Sequence, residues 1–381
     1  MASPTQQSVT STEIKRSDRL YSLDALRGFD MFWIMGAATF FWEWQKLSPD
    51  SAVLTFLKEQ TTHAAWHGFT LFDLIFPLFL FISGVAAPYS LGKKIEKGVP
   101  RKKLLYSVIK RSLLLVLLGM IYNNGLVWKP LEEYRFASVL GRIGIGYMFA
   151  CIIYLYASRR FQIIWSVGIL VFYWLLLKFT SAPGFPRGDM SMEGNFASYF
   201  DRLFLPGKLY EGIHEPEGLL SSIPAISTGL FGILTGDYLK NNAKHTKARK
   251  ALILFIAGVV LIVIAQIWNL DFPINKNLWT SSFTCQAAGL SLVFLSLFYY
   301  IIDVLGYQKW AFFFKVIGMN SIFIYMSGYL IAWDHATRTL FTWFVSLFSE
   351  GNQQVLWAAC VIIVKWLALY YMYKKKIFLR V

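Results

Sequence analysis

Charge is what this chain has least of: only 15% of its 381 residues are Asp, Glu, Lys or Arg. A water-soluble chain carries about a quarter. That shortage, with 33 Phe, 20 Tyr and 14 Trp and a mean hydropathy of +0.48, excludes soluble and disordered classes, because so much apolar surface cannot fit in one water-solvated core. Cysteine is scarce too. Cys151, Cys285 and Cys360 stand at unrelated positions, which excludes a disulfide framework and a thiolate metal site and leaves packing as their role. No G-x-S-x-G, Walker A or H-E-x-x-H occurs, so serine-hydrolase, P-loop and zincin chemistry has no carrier here. No repeat of twenty to fifty residues is visible, which gives an inverted-repeat transporter no support.

What is present is a series of long apolar runs. A membrane-spanning helix needs about 20 such residues, and about ten runs qualify: 22–44, 66–91, 104–125, 137–157, 161–180, 219–240, 249–268, 281–302, 312–333 and 353–373. They are too long and too unbroken for barrel strands. The expected fold is an all-α polytopic membrane bundle occupying 19–381. Residues 1–18, polar and without an apolar h-region, read as a disordered tail.

The net charge of +15 invites a nucleic-acid reading, but the cations concentrate in particular loops. They are Lys15, Arg16 and Arg19; Lys93, Lys94, Lys97, Arg101, Lys102 and Lys103; Arg159 and Arg160; Lys240, Lys244, Lys247, Arg249 and Lys250; and Lys374, Lys375, Lys376 and Arg380. With ten spans these all fall on one side, which the positive-inside rule makes cytoplasmic, together with both termini. The opposite loops are longer and mixed in charge, and the stretch 179–218 is too long for a bare connection. Chemistry is expected at that outer face.

Charges inside spans need partners or purposes. In the first span Asp24, Arg27 and Asp30 follow at i, i+3, i+6 on one face, either a self-neutralising ladder or an anion site built on Arg27. In the second, His63 and His67 precede Asp73, which an unbroken helix would place about 15 Å deeper than His63. Arg142 and Arg135 are the expected partners of Asp73. Imidazole titrates near neutrality and can take a proton or carry an acyl group, so His63 is the candidate for catalysis, although a capping or interfacial role suits it as well. The segments Glu215-Pro-Glu217-Gly and Pro273-Ile-Asn275-Lys-Asn277-Leu-Trp279 hold amides, carboxylates and a Trp. Such side chains bind a sugar ring or simply cap helices and line the interfacial belt.

Taken together, Leu20-Tyr-Ser-Leu-Asp-Ala-Leu-Arg-Gly-Phe-Asp30 and His63-Ala-Ala-Trp-His-Gly-Phe-Thr-Leu-Phe-Asp-Leu-Ile-Phe-Pro77 resemble the heparan-α-glucosaminide N-acetyltransferase family of transmembrane acyltransferases. Arg142-Ile-Gly, Glu215-Pro-Glu-Gly218, Pro273 to Trp279 and Gly318-Met-Asn-Ser321 match further family motifs in the same order, over roughly 19 to 376. The resemblance implies a bacterial-type member without the luminal domain of the lysosomal enzymes. It implies transfer of acetyl from cytoplasmic acetyl-CoA to an amino sugar across a bacterial cytoplasmic membrane, with no metal and no nucleic acid partner, and a possible homodimer. His63 becomes the base or acetyl carrier; Asp73, deeper in the span, is the other residue counted as catalytic.

Arg27, Lys110 and Arg111 are then the candidate donor-binding cations, argued from charge and side, and Arg142 is grouped with them. Trp66, His67, Glu217, Asn275, Asn277 and Trp279 are the candidates for the acceptor. Ala38 stands where the lysosomal enzyme has an asparagine, so Asn275 or Asn277 is the expected substitute at the oxyanion. A hydrocarbon core of about 30 Å exceeds a pantetheine arm, so the donor must thread into the bundle. An O-acyltransferase of an envelope glycan and a sugar or anion transporter are the competing readings.

Overall fold

The computed structural model describes residues 20–241 and 245–379. The expected N-terminal tail, together with Lys15, Arg16, Arg19, Lys244 and Arg380, lies outside the described residues. Among the described residues the chain is helical, with one isolated antiparallel bridge between Arg135 and Gly207 and no strand.

Helix α1 (Tyr21–Phe32) passes through a π-helical turn at Trp33–Ala37 into α2 (Ala38–Leu47), and α3 (Ala52–Gln60) folds back on α2. A 3-10 turn at Leu71–Leu74 starts α4 (Ile75–Ala87), which a further π turn joins to the short α5 (Lys93–Glu96). Then come α6 (Arg101–Asn124), α7 (Val139–Tyr156), α8 (Arg159–Phe179), the short connecting helix α9 (Phe196–Phe204) and α10 (Ile223–Lys240). The chain continues with α11 (Lys247–Asn269), α12 (Ser281–Tyr299), α13 (Phe312–Gly318), α14 (Ser321–Leu330), α15 (Trp333–Val345) and α16 (Glu350–Lys374).

Seven stretches among the described residues are long and apolar enough to cross a membrane: Leu71–Glu96, Arg101–Asn124, Val139–Tyr156, Arg159–Phe179, Lys247–Asn269, Ser281–Val304 and Glu350–Lys374. The protein is thus an all-α, multi-pass membrane bundle. Of the other expected spans, 22–44 is α1 and α2 around the π turn, 219–240 is α10, and 312–333 is split into α13 and α14 at Met319-Asn320. Surfaces agree with lipid as the solvent: Ile163, Ile164 and Trp165 of α8 and Leu252, Ile256 and Val260 of α11 are all exposed, an apolar patchwork that water would not tolerate.

The core is built from α1, α4, α7, α10 and α12. Helices α4 and α10 pack closely because Gly84 and Gly232 face each other. A methyl group on Gly84 would overlap the Gly229 carbonyl, and one on Gly232 would overlap that of Phe81. This small-residue contact lets two backbones approach where side-chain packing, not the hydrophobic effect, must hold membrane helices together. It also fixes the start of α4 beside the start of α10, where the Asp73 and Glu215-Pro-Glu217 segments stand.

One expectation fails here in an informative way. The run 66–91 is not helical from its beginning: 61–70 is an irregular loop and regular structure starts at Leu71. Thr70 ends the loop, and its N–H donates to the Asp73 carboxylate at 3.0 Å, a side-chain cap on the first turn. Gly68 has φ +113°, a backbone conformation open to glycine, and its N–H donates to the Ile274 carbonyl at 2.8 Å. The chain therefore doubles back before entering the membrane helix.

Candidate active site

That reversal removes the expected 15 Å between His63 and Asp73. Nδ1 of His63 lies 2.7 Å from Asp73 Oδ1. The second carboxylate oxygen accepts from Ala64 N–H at 3.3 Å, from Thr70 N–H and from the Thr70 hydroxyl at 3.1 Å. Asp73 is fully buried, whereas the His63 side chain is 42% exposed. A carboxylate on Nδ1 selects the tautomer that protonates Nδ1 and leaves the Nε2 lone pair available. The ring is steadied by Phe72, with centroids 4.7 Å apart.

The partner of Asp73 differs from expectation. Neither Arg142 nor Arg135 reaches it; Lys276 does, with Nζ 3.5 Å from Asp73 Oδ1 and 2.9 and 3.0 Å from the two ring nitrogens of His63. Burial lowers the pKa of Lys276, and the Asp73 and Glu217 carboxylates oppose that shift. Its loop is held rigidly. Asn275 Oδ1 accepts from Leu278 N–H at 2.9 Å, Thr280 Oγ1 accepts from Asn275 N–H at 3.1 Å, and the Tyr173 hydroxyl donates to the Leu278 carbonyl at 2.7 Å. The signal for Lys276 is present in the sequence, as the lone cation between Asn275 and Asn277 in an otherwise neutral motif.

A second charged cluster borders the first. Arg135 donates through Nε and Nη2 to the two oxygens of Glu215, at 2.9 and 2.5 Å, and through Nη2 to Glu217 Oε2 at 2.5 Å. Burial works to raise the pKa of Glu215, but the Arg135 bonds outweigh it and hold the carboxyl below its ordinary range. Glu217 goes the other way: burial pushes its carboxyl up against the pull of Arg142 and Arg135. Arg142 donates to the Pro216 carbonyl and the Ser221 hydroxyl, and its guanidinium lies 4.6 Å over the Trp279 ring.

These groups stand around a cavity of about 860 Å³ lined by His63, Lys276, Asn277, Glu217, Arg135 and Tyr122, among others. A second cavity, about 450 Å³, opens at the other end of the bundle, with Asp24, Arg27, Lys93 and Arg111 in its wall. Between them lies a void of only about 10 Å³, too small for more than one water. Its lining is apolar apart from Ser321 and Tyr325. Phe76 and Val139 are shared with the His63 cavity, and Phe79, Ser321 and Ile322 with the Arg27 cavity. The two cavities are therefore in series, separated by a closed apolar neck.

The other candidates sort themselves by place. Arg27 and Arg111 line the Arg27 cavity, Arg27 with an ion pair to Asp24 at 3.7 Å and Arg111 with Nη1 3.3 Å from the Tyr147 hydroxyl. Asp30 is buried and within the electrostatic reach of Arg27, but it lines a separate small apolar pocket with Phe29, Trp33 and Phe72 and not that cavity. Lys110 is exposed and does not line it. Arg142 drops out of the donor set, because it is buried at the His63 end, where its Nη2 donates to Pro216 and Ser221.

Of the acceptor candidates, Glu217 and Asn277 line the His63 cavity. Asn275 and Trp279 are buried, one pinning its loop and the other beneath Arg142. Trp66 donates to the Met190 carbonyl at 2.9 Å and packs edge-on against His214, which makes it a tie to the 179–218 segment. His67 is exposed and does not line the cavity.

Comparison with known proteins meets this geometry. Residues 19–180, which include the His63–Asp73 loop, match the family described as Domain of unknown function (DUF5009). The heparan-alpha-glucosaminide N-acetyltransferase of Mus musculus is 28% identical over 373 residues, covering 84% of this chain and 56% of the relative. That of Homo sapiens is 27% identical over 373 residues, covering 84% and 55%. Over most of its length the chain is thus similar to heparan-alpha-glucosaminide N-acetyltransferases. It spans just over half the length of these curated relatives. The segments of this chain that carry the likeness come together: the His63–Asp73 loop, the Glu215-Pro-Glu217 turn and the Lys276 loop meet at one cavity, while Gly318 and Ser321 line the other.

Proposed function

We propose that this membrane protein transfers acetyl from acetyl-CoA to the amine of a glucosamine-type sugar, with the acceptor in the His63 cavity and the donor entering from the Arg27 cavity. The observation that carries this reading is the His63–Asp73–Lys276 cluster on the wall of a cavity wide enough for a sugar. An imidazole oriented by a buried carboxylate is the arrangement that general-base and acyl-transfer chemistry requires. The names of the curated relatives supply the reaction class.

Asp73 holds His63, on the cavity wall, through Nδ1 and leaves Nε2 as the reactive nitrogen. Nε2 either takes the proton of the attacking sugar amine or accepts the acetyl group first. In both routes the thioester carbon passes through a tetrahedral adduct, and the CoA sulfur leaves and is protonated. Arg27, Arg111 and Lys93 offer cations to the nucleotide phosphates. The pantetheine arm would part the neck at Phe76, Phe79 and Ile322 to bring the thioester to His63. The clustering of described cations such as Lys93, Lys97, Arg101, Lys247 and Lys374 in loops joined at the Arg27 end supports a cytoplasmic assignment for that end. A bacterial cytoplasmic membrane, with the His63 cavity opening outward, is the setting that fits.

The test is purified protein in detergent or nanodiscs with acetyl-CoA, following free thiol. Glucosamine should stimulate release, and glucose and N-acetylglucosamine should not. Stimulation by the hydroxyl-only sugars would make this an O-acyltransferase, and solute uptake into vesicles without acetyl-CoA would make it a transporter. Full turnover in His63→Ala would refute the site.

A further inference from the structure

The acetyl-transfer reading leaves one question about this site unanswered: which group carries the negative charge that develops on the thioester oxygen. We propose that it is the ammonium of Lys276. The inference rests on that reading of the site but is separable from it by experiment.

An oxyanion formed by attack near His63 Nε2 must be met by a donor within hydrogen-bond reach of the same point. Lys276 Nζ is 3.0 Å from Nε2, so a carbonyl attacked beside Nε2 can place its oxygen within hydrogen-bond reach of Nζ. The side chain is only 14% exposed yet lines the cavity, so the charge acts where water screens it little. Burial lowers the pKa of the ammonium, and Asp73, at 3.5 Å, and Glu217 oppose that shift.

Among the described residues that line the cavity, Arg135, Lys129 and Lys208 are cations too, but Lys276 is the one in contact with His63. Arg135 is bound by Glu215 and Glu217, and Arg142 by Pro216, Ser221 and the Trp279 face. Asn275, the amide expected to serve the oxyanion, pins the turn through Oδ1, and its Nδ2, though unpartnered, is buried in a residue that does not line the cavity. Its loop instead presents the neighbouring lysine.

In the step itself the amine nitrogen forms a bond to the thioester carbon while its proton passes to Nε2. The carbonyl π electrons move to oxygen, where Lys276 meets them. They return as the C–S bond breaks, and the CoA thiolate takes the proton back from His63. The ammonium of Lys276, resting against His63 before substrate arrives, transfers its hydrogen bond to the oxyanion and undergoes no net chemistry.

The experiment measures two rates in wild type, Lys276→Met and Lys276→Arg: sugar-dependent thiol release, and the slow release from acetyl-CoA in which water is the acceptor. Both pass through the same oxyanion. Loss of one such donor costs about a hundredfold or more in kcat. Lys276→Met should therefore lose about a hundredfold in kcat in both assays with KM for glucosamine changed less than threefold, and Lys276→Arg should regain about tenfold. A residue that only shaped the cavity would move KM and would not be rescued by charge. Wild-type kcat in a folded Lys276→Met overturns the proposal. So does a 42-Da mass gain on Lys276 during turnover, which would make the lysine an acceptor. If sugar fails to stimulate wild type but the water reaction still collapses in Lys276→Met, the acceptor assignment falls and the role of Lys276 stands.

Discussion

The imidazole of His63 rests 2.7 Å from the carboxylate of Asp73, although ten residues and the start of a membrane helix separate them in sequence. The contact exists because 61–70 turns back on itself, with Gly68 at a positive φ and Thr70 capping the helix through Asp73 itself. One carboxylate thus performs two tasks, ending the loop and orienting the ring. Fold and chemistry are coupled at this residue.

Asp73→Asn should expose that coupling. The amide keeps the shape but offers one acceptor oxygen where the carboxylate offers two, and its NH2 group must face either His63 or the Thr70 and Ala64 donors. A wrongly oriented or wrongly tautomeric imidazole costs orders of magnitude in a triad. Sugar-dependent thiol release should fall by about a hundredfold or more in kcat/KM. A value within threefold of wild type, in protein that stays monodisperse, would show that the contact is a helix cap and nothing else.

Much of this molecule is legible in its sequence. Apolar runs of spanning length locate the helices because lipid leaves the backbone few alternatives, and His63 stands out as an ionisable group at the edge of such a run. What stays hidden is local. His63 to Phe69 looks like the first turns of a helix, and only the demand for a positive φ at Gly68 and the Thr70 cap breaks it. Gly318-Met-Asn320-Ser321 is apolar enough on average to conceal the split between α13 and α14. Charge alone can group Arg142 with the donor, but it cannot reveal that Pro216 and Ser221, more than seventy residues away, take the donors of its Nη2.

The Arg135–Glu215–Glu217 cluster predicts a stability phenotype distinct from a catalytic one. Glu215 has no exposed surface and depends on Arg135 for its charge. Arg135→Ala strands a buried carboxylate, a change worth about 3–5 kcal/mol. Thermal denaturation in detergent should show a large loss for Arg135→Ala and partial recovery when Glu215→Gln is added. Equal stability of the single variant and wild type would mean that water reaches Glu215.

The closed neck predicts a donor-specific defect. Ile322 lines both the neck and the Arg27 cavity, so Ile322→Trp should plug the passage while leaving the His63 cavity untouched. Overpacking of this kind costs about 1–3 kcal/mol, which the fold should survive. kcat/KM for acetyl-CoA should drop at least tenfold with KM for glucosamine nearly constant. An unchanged donor kcat/KM would mean that the thioester reaches His63 by another route.

Asp201 supplies a pH test in the 179–218 segment. It is buried, accepts from Leu219 N–H at 2.8 Å, and burial raises its carboxyl pKa to about 6 despite Leu219 and Arg142. Because the folded-state value lies above the unfolded one, the native state holds the proton more tightly. Stability from this group is therefore greatest at low pH and is lost as pH rises from about 4 to about 6. A shift of two units is worth about 3 kcal/mol above that window. Asp201→Asn keeps an acceptor for Leu219 and removes the charge, so its melting temperature should exceed that of wild type at pH 7.5, and the gap should narrow at pH 4.5. His214, whose pKa burial lowers to about 4, changes stability in the opposite sense as it titrates, but it is common to both proteins and cancels in the comparison. A gap that is independent of pH would mean that Asp201 is ionised throughout and that its carboxylate is stabilised by more than the Leu219 amide.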